Sequence, residues 1–450
     1  MEDCEVLVLG GGSAAEALCH EGVGRRPVVM VEQQRFGGIC PFLACMPSKA
    51  MLLAATELHR RRGPLQRRDF EAYRLACRRR DRVAEGRSDH AHRRQLERLG
   101  VRTVRGRGQI VGPGRVRVGR REFAARDVVL ATGSRAKLPP IPGLGTIEPW
   151  TSDEVLSRDE LPARVAILGG GPVGCELAQI LARFGSRVTL VEPEGRLLAS
   201  EDQELGLAVA RTLARDGVRL LAGVRVSQIA SLPRGRARLL VAGRGRATER
   251  VDVDRVVVAA GREPALTGLG LEAWRPGFEA ERVVADDRCR IRGEEHLWVI
   301  GDASGAPAFT HTANYQGRVV AANLRGEDRR ADYRAIPRAV YLDPPVAAVG
   351  LTEEQASRQG LRTLIGRAAL AETARGELER LVEGQLLLRA EAGSGVLVGA
   401  WVAGPAADEL IGELALAVRA AVPIDVLKDV VHPFPTLSEA IGVALRNLGR

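Results

Sequence analysis

The chain has 450 residues, 45% hydrophobic and 27% charged, with a formal net charge of +10. That length exceeds what one hydrophobic core supports and predicts about three domains. No apolar run approaches the roughly 20 residues that span a bilayer, and Met1-Glu2-Asp3-Cys4 lacks the basic-then-apolar order of a secretory signal, so no membrane association is expected. Seven scattered cysteines do not make an extracellular framework; they point to a reducing cytoplasm, where a cysteine pair is more often catalytic than structural.

In chain order, Glu5-Val6-Leu7-Val8-Leu9 reads as a buried strand. Gly10-Gly11-Gly12-Ser13-Ala14-Ala15 follows, with a helix to about Cys19, and Val28-Val29-Met30-Val31 is the next strand, ending in Glu32. In such a strand–turn–helix–strand–acid unit the glycines admit a pyrophosphate, the helix start binds it and the acid holds a ribose diol. Gly10, Gly12, Ala15 and Glu32 are therefore candidate dinucleotide-binding residues, with Ala15 at the third small position.

Residues 37–49, Gly-Gly-Ile-Cys-Pro-Phe-Leu-Ala-Cys-Met-Pro-Ser-Lys, place Cys40 and Cys45 five positions apart. Five helical residues advance about 7.5 Å, and a disulfide needs Cα atoms closer than about 7 Å, so the two bond only across a distorted turn opening a helix. Pro41 suits such a first turn, Pro47 is expected to interrupt a running helix, and free N–H groups there favour a thiolate. The pair reads as redox-active rather than as a staple.

Lysine occurs only at Lys49, Lys137 and Lys428, so 66 − 3 leaves 63 arginines. Between Glu57 and Arg98 there are 14 arginines against 7 acids. This stretch, with Arg60-Arg61-Arg62 and Arg78-Arg79-Arg80, reads as one or two exposed helices with a solvated face; docking of an acidic partner or anionic substrate is the alternative. Nucleic-acid binding is not expected, because no recognition fold or interleaved aromatics accompany the charge.

Val128-Val129-Leu130 runs into Ala131-Thr132-Gly133, and prolines and glycines over 138–143 mark a domain crossing. A second copy of the nucleotide unit follows: Val165-Ala166-Ile167-Leu168, the turn Gly169-Gly170-Gly171-Pro172-Val173-Gly174, the helix Cys175–Phe184, and Val188-Thr189-Leu190-Val191 ending at Glu192. Gly169, Gly171, Gly174 and Glu192 are its binding candidates. Glu192 favours two ribose hydroxyls and repels a 2′-phosphate, so NAD is preferred over NADP, although Arg187 and Arg196 lie nearby. Val256-Val257-Val258 leads to Gly261, Leu297-Trp298-Val299-Ile300 closes on Gly301-Asp302, and Phe309-Thr310-His311-Thr312-Ala313 opens a helix. From about Ala335, strands (Ala339–Leu342, Gln385–Arg389, Val396–Val402) alternate with helices (Thr352–Gln359, Ala406–Ala420) as an α+β domain. It ends in His432-Pro433-Phe434-Pro435-Thr436-Leu437-Ser438-Glu439 and a last helix.

These motifs together resemble the flavoprotein pyridine nucleotide–disulfide oxidoreductases, a family that includes dihydrolipoamide dehydrogenase, glutathione reductase and mercuric reductase. The resemblance covers essentially the whole chain. It implies an α/β fold of two Rossmann-like domains plus a C-terminal dimerisation domain: an FAD-binding part over 1–148 (carrying the arginine-rich 57–98), an NAD(P)-binding domain over 149–265, a second FAD-binding part over 266–334 and an interface domain over 335–450. It implies FAD on the first fingerprint, with Gly38, Lys49, Ala131, Thr132, Gly133, Gly301, Asp302, His311, Thr312 and Ala313 around it. It places NAD(P)H on the second, with Gly261 nearby. It also implies a homodimer whose C-terminal domain completes the partner's site. Cys45 would face the flavin, Cys40 would exchange with substrate, and Lys49 would sit by the reactive ring nitrogen, paired with Glu176.

Two departures matter. The family's dithiol enzymes carry a histidine base directly before the Pro-Thr, oriented by the glutamate five residues on; here that position is Phe434, while Glu439 remains. A positioned base contributes roughly 10²–10⁴-fold, so thiol turnover should weaken unless His432, expected on the same side of an extended segment, reaches in. The cysteine loop also carries Pro41-Phe42-Leu43-Ala44 in place of a more polar sequence, which predicts an apolar site for an uncharged, planar acceptor. The leading reading is an enzyme passing electrons from NADH through flavin and Cys45–Cys40 to a small-molecule acceptor, a disulfide or a quinone-like oxidant. Its alternatives are a true dihydrolipoamide dehydrogenase with His432 as base and, from another class, a docking subunit of a larger complex with residual diaphorase activity. Mercuric reductase is disfavoured, because no terminal cysteine pair follows Cys289, and no metal site is expected.

Overall fold

Val6-Leu7-Val8-Leu9 is apolar without alternation, the pattern of a parallel strand covered on both faces. In the computed structural model, which describes residues 1–65, 67–243, 246–279 and 283–449, all four of these side chains are buried. Burying each is worth roughly 2 kcal/mol. The chain is mixed α/β and separates into two compact units.

The first unit comprises Met1–Pro47, Arg78–Lys137 and Gly261–Asp332. Its sheet runs in the order Arg102–Arg105, Val28–Glu32, Glu2–Leu9, Arg121–Leu130, all parallel, with Leu297–Val299 also parallel to the end of Arg121–Leu130. The hairpin Gly108–Gly112 and Arg115–Val118 adds antiparallel to the start of that long strand. On one face the helices Ser13–Glu21 and Thr310–Leu324 cross so closely that a Cβ on Gly317 would lie 2.4 Å from the Ala14 carbonyl oxygen. Met30, Leu18, Ile300 and Val319 form the core beneath them.

The second unit comprises Ser48–Cys77, Leu138–Ala260 and Tyr333–Arg450. It holds a parallel sheet in the order Arg219–Ala222, Arg187–Glu192, Arg164–Leu168, Arg255–Val258, and an antiparallel meander of Val224–Leu232, Arg236–Gly243 and Arg246–Val253. A five-stranded antiparallel sheet, with outer strands Arg338–Val340 and Thr363–Ala369, carries the helices Ala407–Ala420 and Glu439–Arg446. The turn from the proline-rich crossing is locked at Gly143, φ +86°, where a Cβ would lie 1.8 Å from the Ile229 carbonyl oxygen.

The arginine-rich stretch forms the later turns of the helix Cys45–Arg62 and the helices Phe70–Val83 and His90–Arg98 rather than one or two helices, and most of its arginines are exposed, as expected. Arg80 is fully buried and pairs with Asp81 at 2.8 Å, which also takes Arg87 at 2.8 Å. Within the second unit Arg62 pairs with Asp69, and Tyr73 meets Phe184 edge-on at 5.2 Å. Interspersed acids pair with some of the arginines, and of the fourteen only Arg80 is buried, so the run is a largely solvated face with one member turned inward.

Candidate active site

The first-unit site begins at Gly10, whose φ of +103° lets the strand end press against Ala131; a Cβ there would lie 2.2 Å from the Ala131 carbonyl oxygen. Gly12 stands at the start of the helix Ser13–Glu21, with no side-chain cap. Glu32 reaches back to accept the Gly11 N–H at 2.8 Å, and Ala15 is buried in the helix. The second unit repeats this geometry. Gly169 has φ +113°, a Cβ on it would lie 2.3 Å from the Ala259 carbonyl oxygen, and Glu192 accepts the Gly170 N–H at 2.5 Å. Gly171 opens the helix Pro172–Arg183, again uncapped. A Cβ on Gly174 would lie 1.9 Å from the Gly169 carbonyl oxygen, so only glycine permits this approach of helix to turn. Glu192 is buried, and the Arg196 side chain donates to the carbonyls of Ala199 and Glu201. Gly261 falls in the first unit, where its carbonyl accepts the Lys137 N–H at 3.0 Å.

Cys40 opens the short helix Cys40–Leu43, and Cys45 opens the helix Cys45–Arg62. Ala44, at φ −134° and ψ −98°, makes the break between them. Pro47 does not interrupt the second helix. It is the third residue, in the first turn, where no intrahelical partner exists for the N–H it lacks. The two sulfurs are neighbours: the Cys45 sulfur, followed by burial, holds the Cys40 thiol above its ordinary range. Thr310 Oγ1 lies 3.2 Å from Cys40 Sγ and 3.4 Å from Cys45 Sγ. A Cβ on Gly38 would lie 2.8 Å from Gly12 Cα, so the cysteine loop rests directly on the first glycine turn. Phe42 is fully buried, edge-on to His92 at 5.3 Å, and His92 in turn pairs with Glu16 at 2.7 Å. The loop's aromatic therefore points into the core and does not make an apolar acceptor face.

Elsewhere in the first unit, Asp302 accepts from the Ser134 hydroxyl, which itself accepts from Arg262 at 2.7 Å. Gly301 donates its N–H to Gln316 at 2.7 Å. Gly133 has φ +70°, and His311 stacks on Phe309 at 5.1 Å. Ala313 is buried. Thr132 Oγ1 and Thr312 Oγ1 are buried with no hydrogen-bond partner among the described residues. Two orphaned hydroxyls, a glycine cradle and an uncapped helix start fit a bound FAD.

In the second unit Lys49 Nζ sits between the Glu176 carboxylate oxygens at 2.8 and 3.0 Å, and the Tyr341 ring covers it at 4.5 Å. Glu176, buried, also accepts the Tyr341 N–H at 3.0 Å. His432 Nε2 is held 2.9 Å from Glu413 of the helix Ala407–Ala420, whereas Phe434 is 77% exposed. Glu439 accepts the Thr436 N–H at 3.2 Å, at the entry to its own helix. Neither Thr310 nor Tyr341 was marked by any motif; only their contacts single them out. No cluster of potential metal ligands occurs among the described residues. Nor is any described helix long and apolar enough to cross a membrane.

Comparison with known proteins identifies the family. Residues 4–317 match the family described as pyridine nucleotide-disulphide oxidoreductase, and residues 336–445 match its dimerisation domain, which supports a homodimer. The chain is 31% identical to a dihydrolipoyl dehydrogenase of Thermus scotoductus, over 98% of this chain and 96% of that one. It is 30% identical to a mercuric reductase of Acidithiobacillus ferrooxidans, over 100% and 83%. The HOCl-induced flavoprotein disulfide reductase RclA of Escherichia coli superposes with a TM-score of 0.85 at 25% identity, covering 98% of this chain and 99% of that one. The chain therefore belongs to the pyridine nucleotide–disulphide oxidoreductases and is one of their NAD(P)H-dependent flavoenzymes.

Proposed function

We propose that the enzyme takes electrons from NADH and delivers them through the Cys40–Cys45 disulfide to a small non-thiol acceptor of the quinone class. Bound FAD would accept hydride from the nicotinamide and pass two electrons to the disulfide. The observation that carries the reading is that both sulfurs, on the loop that rests against the first glycine turn, lie within 3.4 Å of one hydroxyl, Thr310 Oγ1. The S–S bond breaks on reduction to a dithiol; the dithiol then gives two electrons and two protons to the acceptor and the bond re-forms.

The chain's own residues supply positions and charges. Lys49, anchored by Glu176, provides a fixed positive charge for a reduced, anionic ring. Glu192, with Arg196 committed to backbone carbonyls, favours the unphosphorylated ribose of NADH. Phe434 in the family's base position favours an acceptor that releases no thiolate to be protonated. The His432–Glu413 pair supports a second reading, dihydrolipoamide dehydrogenase chemistry, since a carboxylate can orient an imidazole as base.

Anaerobic titration with NADH tests the relay. Wild type should consume about one NADH more per flavin than Cys45→Ser, the surplus being the disulfide; equal uptake would end the proposal. Steady-state NADH oxidation should then be fastest with quinones, and faster turnover with lipoamide would select the second reading.

A further inference from the structure

The two sulfurs meet across a hydroxyl that the relay described above leaves without a task. Thr310 is the first residue of the helix Thr310–Leu324 and lies 270 and 265 residues from Cys40 and Cys45. Its Oγ1 is 3.2 Å from one sulfur and 3.4 Å from the other, and Phe309 at the helix cap offers no side-chain acceptor. A single O–H can donate to one sulfur while its oxygen accepts from the other. A helix start also favours negative charge within its first turn.

We propose that Thr310 is the proton-handling partner of the cysteine pair, donating its hydroxyl hydrogen to whichever sulfur is the thiolate. This rests on the disulfide relay proposed above. In a reduced pair holding one proton, Thr310 O–H donates to the Cys40 thiolate, the direction the structure shows, while Cys45 S–H donates to Thr310 Oγ1. Reversing both bonds moves the proton to Cys40 and leaves Cys45 as the thiolate. No proton is gained or lost, and no base at position 434 is needed for the exchange. Consistent with this, the Thr310 bond acts on Cys40 against the upward effects of Cys45 and burial.

Among the described residues, few titratable groups stand on the surrounding elements. His311 follows Thr310 and stacks on Phe309; His92, facing Phe42, is paired with Glu16; and Lys49, one turn past Cys45 on the same helix, is held by Glu176. Each is engaged elsewhere, so the hydroxyl is the group set between the sulfurs.

The test is alkylation of both cysteines by iodoacetamide in NADH-reduced holoenzyme, followed against pH by peptide mass spectrometry, for wild type, Thr310→Val and Thr310→Ser. Loss of a hydrogen bond to a charged sulfur should raise the alkylation midpoint of Thr310→Val by about one pH unit, a roughly tenfold loss of thiolate at neutral pH. Thr310→Ser should restore the wild-type midpoint. A Thr310→Val profile that overlays wild type would overturn the proposal, as would a serine variant behaving like valine, since that would assign the effect to the methyl group. Both comparisons are read on wild type that shows the extra NADH uptake. If wild type lacks that uptake, the relay itself fails and this inference fails with it.

Discussion

Replacing Glu192 with glutamine should relax the choice between NADH and NADPH. Glu192 is buried and its two oxygens accept the Gly170 N–H at 2.5 Å and the Glu194 N–H at 2.7 Å, so the carboxylate cannot swing away from a ribose seated at the turn. A 2′-phosphate charge about 5 Å from it would meet a repulsion of about 3 kcal/mol at an effective dielectric of 20. Solvent and salt on the open side reduce this to about 2 kcal/mol. Wild type should accordingly show a kcat/KM for NADH about 30-fold above that for NADPH. Glu192→Gln keeps the side chain's size and one acceptor, and should bring the ratio within about fivefold. The assay is steady-state reduction of one quinone with each nucleotide at fixed ionic strength. A wild-type ratio near unity, or an unchanged ratio in the variant, would refute the reasoning, and the second outcome would move the discrimination to Arg187 or Arg196.

Two further substitutions probe the rest of the site. Lys49→Met leaves the Glu176 carboxylate buried with the Tyr341 N–H as its remaining neighbour of those described above. It should cost about 2 kcal/mol, less than a fully buried pair because Lys49 is partly exposed; the double change Lys49→Met with Glu176→Leu should recover most of that in thermal unfolding, and no recovery would show that the pair is not the source of the loss. Phe434→His should raise turnover of lipoamide or small disulfides at least tenfold if the missing base is limiting, and unchanged rates would show that it is not.

Glycine turns and buried strands were legible because their signals are local: Gly10 and Gly169 each adopt the backbone that the pattern demands, and each acid lies one strand away. The Lys49–Glu176 pair, 127 residues apart, was legible only through resemblance. Thr310 was illegible, since a threonine opening a helix is ordinary until folding sets it between two sulfurs. Arg80 was misread because a charge run carries no mark of the single member that turns inward. The partner of His432 was illegible for a related reason: alternation along an extended segment says nothing of Glu413, which holds that imidazole from a neighbouring helix.

The paired clasps, Glu32 on Gly11 and Glu192 on Gly170, carry a consequence for loading. Each turn is held shut by its own acid, so an incoming nucleotide finds a rigid cradle and little ordering entropy is charged against its affinity. Such a chain can fold first and take up its cofactors afterwards.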